Sequence, residues 1–130
     1  MNLIEWNKDY SVGIEKFDNE HKKLIEIINK LNEAMKAGRS KEVLNDIISS
    51  LIKYTQTHFK SEEDFFKSTN YPEAQSHSNY HRAFVLKVAD FERRFNSNQV
   101  GLGVDVMNFL KDWLINHIQK EDKKYSSYKN

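Results

Sequence analysis

The chain of 130 residues has no cysteine, one proline and four glycines. Without cysteine there is no disulfide framework, no thiolate metal site and no cysteine nucleophile. With so few turn-formers, an all-β fold built on many tight turns is excluded. No apolar run approaches the roughly 20 residues needed to span a bilayer, so no membrane insertion is expected. Neither sign of charge dominates: 20 Lys and Arg face 19 Asp and Glu, for a net charge of +1. That balance gives no electrostatic reason to expect nucleic acid or an anionic membrane as partner. The N-terminal MNLIEWNKDY lacks the basic start and apolar stretch of a secretory signal, and a cytoplasmic location is the expectation. The length suits one domain over residues 1–130, able to bury a core without covalent staples.

The few breakers cluster. Gly13 lies in an N-terminal arm (1–17), Gly38 in AGRS, Pro72 in STNYPE, and Gly101 and Gly103 in NSNQVGLG. They predict four helices near 18–37, 41–67, 72–96 and 104–121. Asp18 is read as capping the first and Ser40 as N-cap of the second. Gly38 is read as the residue past a helix end, and Pro72 as lying in a first helical turn. A tail over 123–130 has no apolar periodicity and is expected to be loosely attached.

Each stretch carries an apolar stripe at steps of three and four. They read His21, Leu24, Ile28, Leu31, Met35; Leu44, Ile48, Leu51, Thr55, His58, Glu62, Phe65; His77, His81, Phe84, Val88, Phe91, Phe95; and Val106, Leu110, Trp113, His117. This spacing predicts an all-α, antiparallel up-down-up-down four-helix bundle with an N-terminal arm.

All five histidines fall on the stripes, and so does Glu62. A buried carboxylate requires a paired charge or a metal. In antiparallel neighbours, residues equidistant from the connecting loop lie at one height. The midpoint of His21 and His58 falls between Arg39 and Ser40. The pairs His58/Glu62 and His77/His81 are centred between Thr69 and Asn70, and His77/His81 and His117 are centred on Asn98. Three loops placed independently thus bring every histidine to one layer. His58/Glu62 and His77/His81 are each i, i+4 pairs on one helix face.

The fourth helix adds a carboxylate after His117. Ideal geometry favours Glu121, about 40° round the helix, over Asp122, about 140° round. Five imidazoles and two carboxylates exceed the needs of one metal. Without thiolate they suit iron, zinc, copper or manganese. Two octahedral ions sharing both carboxylates and one solvent-derived oxygen would keep one position open for a small ligand.

The segments W…SVGIEKFDNEHKKL (6–24), HFKSEE (58–63), YPEAQSHSNYH (71–81) and WLINHIQKED (113–122) resemble the bacterial hemerythrin family over essentially the whole chain. The resemblance implies two iron ions joined by an oxo or hydroxo bridge. It assigns His77, His81 and His117 to one iron and His21 and His58 to the other. Glu62 and Asp122 would bridge, which replaces the periodicity choice of Glu121 and implies a last helical turn that is not ideal α. Dioxygen would bind reversibly at the iron with two histidines, for transport, storage or delivery. The pocket wall would be Leu24, Ile25, Phe59, Trp113, Leu114 and Ile118, and Trp6 and Tyr10 would help cover the bundle end nearer the metals. A monomeric carrier that is not an enzyme, serving an oxygen-accepting enzyme, is the expectation. A di-iron oxidase or peroxidase, a nitric-oxide or oxygen sensor and an iron buffer are the alternatives. One departure is Phe17-Asp18-Asn19-Glu20-His21, where the family usually has Ile-Asp-x-Gln-His.

Overall fold

A computed structural model describes residues 4–98 and 100–128. Four antiparallel rods form the bundle. Rod α1 is Glu15–Lys36. Rod α2 is α-helical over Ser40–Tyr54, π-helical over Thr55–Phe59, and α-helical again over Lys60–Thr69. Rod α3 is Ala74–Asn96. Rod α4 is α-helical over Leu102–Asp112 and π-helical over Trp113–Glu121, and it runs into a 3-10 segment, Asp122–Tyr128. Sequential rods pack side by side, and α4 closes the ring against α1.

The first loop turns at Gly38, whose φ of 70° suits a residue without Cβ. Gly38 N–H donates to the Met35 carbonyl and Arg39 N–H to that of Ala34, the paired bonds of a Schellman motif. That motif consumes the position expected of a cap, so Ser40 is the first helical residue and makes no capping bond. At the second loop Asn70 adopts φ 54° and Tyr71 N–H returns to the Phe66 carbonyl. Pro72 precedes α3 rather than sitting in its first turn. It occupies the turn closed by Ala74 N–H on the Tyr71 carbonyl, where a fixed φ is equally well suited.

The stripes face inward as their period requires. Leu24, Ile28, Leu31, Leu51, Phe84, Phe91, Val106 and Leu110 are fully sealed from solvent. Each contributes on the order of 1.5–3 kcal/mol by burial. Met35, Thr55 and Phe95 are only partly buried, and at the end of the second stripe the inward residue is Phe66, whereas Phe65 is half-exposed. Phe66 lies one turn beyond Glu62, and its ring rests on Tyr71, His77 and Tyr125.

Asp18 does not cap α1, which begins earlier. Its carboxylate accepts from Val12 N–H (2.8 Å) and Ser11 Oγ (2.6 Å), drawing the arm over the bundle end. Farther back, Ile4 and Asn29 exchange two hydrogen bonds of 2.9 and 2.8 Å. Pinned at both points, the arm runs along α1. Trp6 and Tyr10 therefore pack on the side of the bundle, and Val12 and Phe17 close its end.

The tail is anchored, contrary to the expectation from its composition. Tyr125 is fully buried among Phe17, Phe66, Tyr71 and His77. Residues 1–3 of the arm and 129–130 of the tail lie outside the described residues. Tyr125→Ala is expected to destabilise the protein by about 3–5 kcal/mol in urea unfolding, the range for emptying a large aromatic site. A loss under about 1 kcal/mol would mean that the tail is not docked.

Candidate metal centre

All seven side chains singled out in the sequence meet in one layer. His21, His58, Glu62, His77, His81, His117 and Asp122 are each at most 3% exposed. His21 comes from α1, His58 and Glu62 from α2, His77 and His81 from α3, and His117 and Asp122 from the end of α4.

The two π segments fall where the layer is built. In α2, Thr55 Oγ1 donates to the Ile52 carbonyl (2.7 Å) and Ser61 Oγ to that of Thr57 (2.8 Å), so hydroxyls compete with the backbone ladder around His58. In α4, Asp122 N–H donates to the His117 carbonyl, the five-residue bond of a π turn. The wider turn brings Asp122 beneath His117, with Oδ1 at 2.9 Å from His117 Nε2. The side chain of Glu121, favoured by an ideal helix, lies outside the described residues.

Each carboxylate divides its two oxygens between two groups of imidazoles. Glu62 Oε1 faces His81 Nε2 (2.8 Å) and His77 Nε2 (3.4 Å), and its Oε2 faces His58 Nε2 (3.3 Å) and His21 Nε2 (4.0 Å). Asp122 Oδ1 faces His77 Nε2 (2.8 Å) and His117, and its Oδ2 faces His21 Nε2 (3.0 Å). His21 Nε2 and His58 Nε2 are 3.0 Å apart. Among the described residues, two sets of potential ligands result: Glu62, His77, His81 and His117, and His21, His58, Glu62 and Asp122.

Some of these contacts are hydrogen bonds, such as His81 Nε2 with Glu62 Oε1, but several of the polar atoms find none. Both Asp122 oxygens, His77 Nε2 and both nitrogens of His117 are buried without hydrogen-bond geometry. Lone pairs aimed at common points, sealed from water, are costly unless a cation lies between them. The donor set of imidazole and carboxylate without thiolate fits first-row metals, iron among them.

A surrounding shell orients the imidazoles. Glu20 Oε1 meets His58 Nδ1 at 2.8 Å and Glu63 Oε2 meets His81 Nδ1 at 3.1 Å, the carboxylate–histidine pairing that fixes a ligand's tautomer. The Tyr125 hydroxyl donates to Glu62 Oε2. Rings stack on three imidazoles: Tyr54 on His58 (5.0 Å), Phe59 on His81 (3.8 Å) and Trp113 on His117 (3.9 Å). In the sequence Glu20 and Glu63 stand only within the segments around His21 and Glu62, and Tyr54 and Tyr125 carry no signal there. Adjacency to His21 and Glu62 was the one available signal for the two glutamates.

The charges follow. Burial alone would lower the His58 pKa; the Glu62 charge and the hydrogen bonds His58 donates to Glu20 and Glu62 outweigh it and raise it to about 10. Burial also opposes protonation of His77, yet bonds to Asp122 and Glu62 raise it to about 9. Burial would raise Glu62 and Asp122, but the imidazoles around them hold both carboxylates well below their usual range. Burial lowers His117.

The fold is an all-α bundle enclosing a buried histidine–carboxylate centre, the architecture of the non-haem di-iron class. Residues 12–128 match the family model of the hemerythrin HHE cation binding domain. The chain is 31% identical to a bacteriohemerythrin of Methylococcus capsulatus (96% of this chain, 95% of that one). It is 33% identical to one of Clostridium acetobutylicum (95% and 98%). A crystal structure of a hemerythrin L114A mutant superposes with a TM-score of 0.87 at 29% identity, covering 98% of each chain. The chain belongs to the hemerythrin family and is a bacterial hemerythrin-like protein.

At pH 7.5 the raised pKa values keep His58 and His77 protonated in the metal-free chain, and a ligating imidazole must be neutral. Titration with cobalt(II) at that pH is expected to release roughly two protons per chain, read by calorimetry in buffers of different ionisation enthalpy. Absence of proton release would contradict protonated His58 and His77 giving up their protons to a bound metal. In the metal-free form, the stabilisation from His58 and His77 is complete below their unfolded value of about 6.5 and is lost as pH rises through 9–10. That from Glu62 and Asp122 is lost as pH falls below the ordinary carboxylate range.

Proposed function

We propose that the protein is a reversible dioxygen carrier holding two iron ions in this layer. His77, His81 and His117 would hold one and His21 and His58 the other, with Glu62 and Asp122 as the carboxylates shared between them. The reading is carried by one observation: Glu62 turns one oxygen to His77 and His81 and the other to His21 and His58, while Asp122 turns one oxygen to His77 and His117 and the other to His21. With three imidazoles on one side and two on the other, the chain would supply one ligand fewer to the ion on the two-histidine side. When bound, the iron pair supplies redox chemistry able to take up dioxygen at that position and to release it unchanged.

The chain's own residues hold, orient and dry the site. Glu20 and Glu63 fix the outer nitrogens of His58 and His81. Tyr125 holds Glu62 on the side of the two-histidine group, because the oxygen it donates to is the one facing His58. Leu24 and Ile25 lie one turn from His21, and Phe59, Trp113, Leu114 and Ile118 continue the same buried cluster. These six form the ligand pocket wall and exclude water and soluble reductants, which favours release of dioxygen over conversion. Histidine-rich, carboxylate-poor ligation supports the ferrous state, so the role is that of a monomeric carrier supplying an oxygen-consuming enzyme, not that of an enzyme.

Iron-loaded, reduced protein is expected to bind two irons per chain and to gain a visible absorption band in air that vanishes under vacuum, over repeated cycles. His58→Ala should abolish the reversible band and lower the iron content. Bleaching to the ferric form within the first cycle would contradict the carrier reading.

A further inference from the structure

The layer is roofed by a tier of side chains one helical turn toward the apolar body. Leu24 and Ile25 follow His21 by three and four residues, and Phe84 follows His81 by three. Tyr54 precedes His58 by four, and Trp113 and Leu114 precede His117 by four and three. Because α1 and α3 run against α2 and α4, the residues after a histidine on the first pair and before one on the second lie on the same side of the layer. All six are buried in one cluster. Leu24, Ile25, Phe84 and Leu114 offer only hydrocarbon. Tyr54 and Trp113 also carry a polar atom, and both are more than nine-tenths buried, at 7% and 8% exposure.

Those two polar atoms find no use within the fold. The Tyr54 hydroxyl and Trp113 Nε1 are sealed from solvent and have no hydrogen-bond partner among the described residues. A buried unpaired donor is disfavoured, and phenylalanine in place of Tyr54 would fill nearly the same space without that cost. The two donors belong to different halves of the centre. Trp113 stacks on His117 (3.9 Å, 17°), in the three-histidine group. Tyr54 stacks on His58 (5.0 Å, 24°), in the two-histidine group, and its ring packs against Phe59 and Phe84. Tyr54 also lines a cleft of about 410 Å³ between α1 and α2, with Glu20 and Thr57, but its oxygen is closed off from solvent.

We propose that Tyr54 is the ligand-retaining residue of the pocket: its hydroxyl donates a hydrogen bond to a small, electron-rich ligand held on the two-histidine side. That is the side to which the chain supplies one ligand fewer, so an unspent donor there has an acceptor to meet. A phenol keeps its proton at neutral pH and serves as donor. Dioxygen drawing electron density from the centre, or a small anion in the same place, presents the acceptor. In a dry wall of low dielectric such a bond is stronger than in water. The inference rests on the two-ion reading of the layer, but it holds whether or not dioxygen is released reversibly.

Tyr54→Phe removes the oxygen alone and tests this in two ways. In the ferric, iron-loaded protein, azide affinity read from the visible spectrum is expected to fall roughly tenfold or more, with faster dissociation. Iron content should stay at the parent level, because the ring on His58 is kept. In the metal-free protein the same variant is expected to unfold at the parent's urea midpoint or above it, because the hydroxyl has no partner to lose. Unchanged azide affinity, loss of iron, a lowered urea midpoint, or an iron-loaded parent that binds no azide would each overturn the proposal. Failure of the carrier reading looks different: the reduced parent bleaches in air, while azide binding and its weakening in Tyr54→Phe persist.

Discussion

The structure depends on the desolvation of two carboxylates. Glu62 and Asp122 are completely buried, and an isolated buried carboxylate costs several kcal/mol even after relaxation. Nothing apolar in the bundle repays that. The five surrounding imidazoles, with the positive charge they carry or coordinate, and the Tyr125 hydroxyl on Glu62 make the burial tolerable. The layer is therefore a constraint as much as a site: four rods must meet at one height, and the arm and tail must seal its open end.

That constraint accounts for features that otherwise look unrelated. The π turns near His58 and before Asp122 give up regular helix so that side chains project correctly. Tyr125 returns from past the end of α4 to donate to Glu62. Asp18 draws the arm over the same end through Ser11 and Val12. The hydrophobic majority of the core lies on the other side of the layer, from Leu24 and Phe84 to Leu31 and Phe91, and supplies most of the burial. An apolar body thus carries a polar end with irregular helix, the arrangement expected where function sets the local geometry.

Much of this was legible in the sequence because helical periodicity and loop placement are strong signals. Gly38 and Asn98 mark turns that the chain makes, and reflection through them brings the five histidines together without reference to any relative. What escaped was whatever departs from ideal period or local composition. Asp122 over Glu121 needs a π turn, which a 3.6-residue period cannot anticipate; only family resemblance chose it. Phe66 rather than Phe65 is inward because it continues from Glu62 in a step of four. Tyr125 sits in a polar stretch, and burial of a single aromatic leaves no periodic trace. Asp18 and Ser40 were misread as caps because a short polar residue before a helix has several uses, and here the arm and the Schellman turn claimed those positions.

The central claim is that one layer holds two ions spanned by the same two carboxylates. Crystallography of the iron-loaded protein with anomalous scattering at the iron edge tests it most directly. The account predicts two iron peaks per chain, roughly 3.5–4 Å apart, with Glu62 and Asp122 each contacting both. A single peak, or two peaks in separate tiers that share no carboxylate, would contradict it.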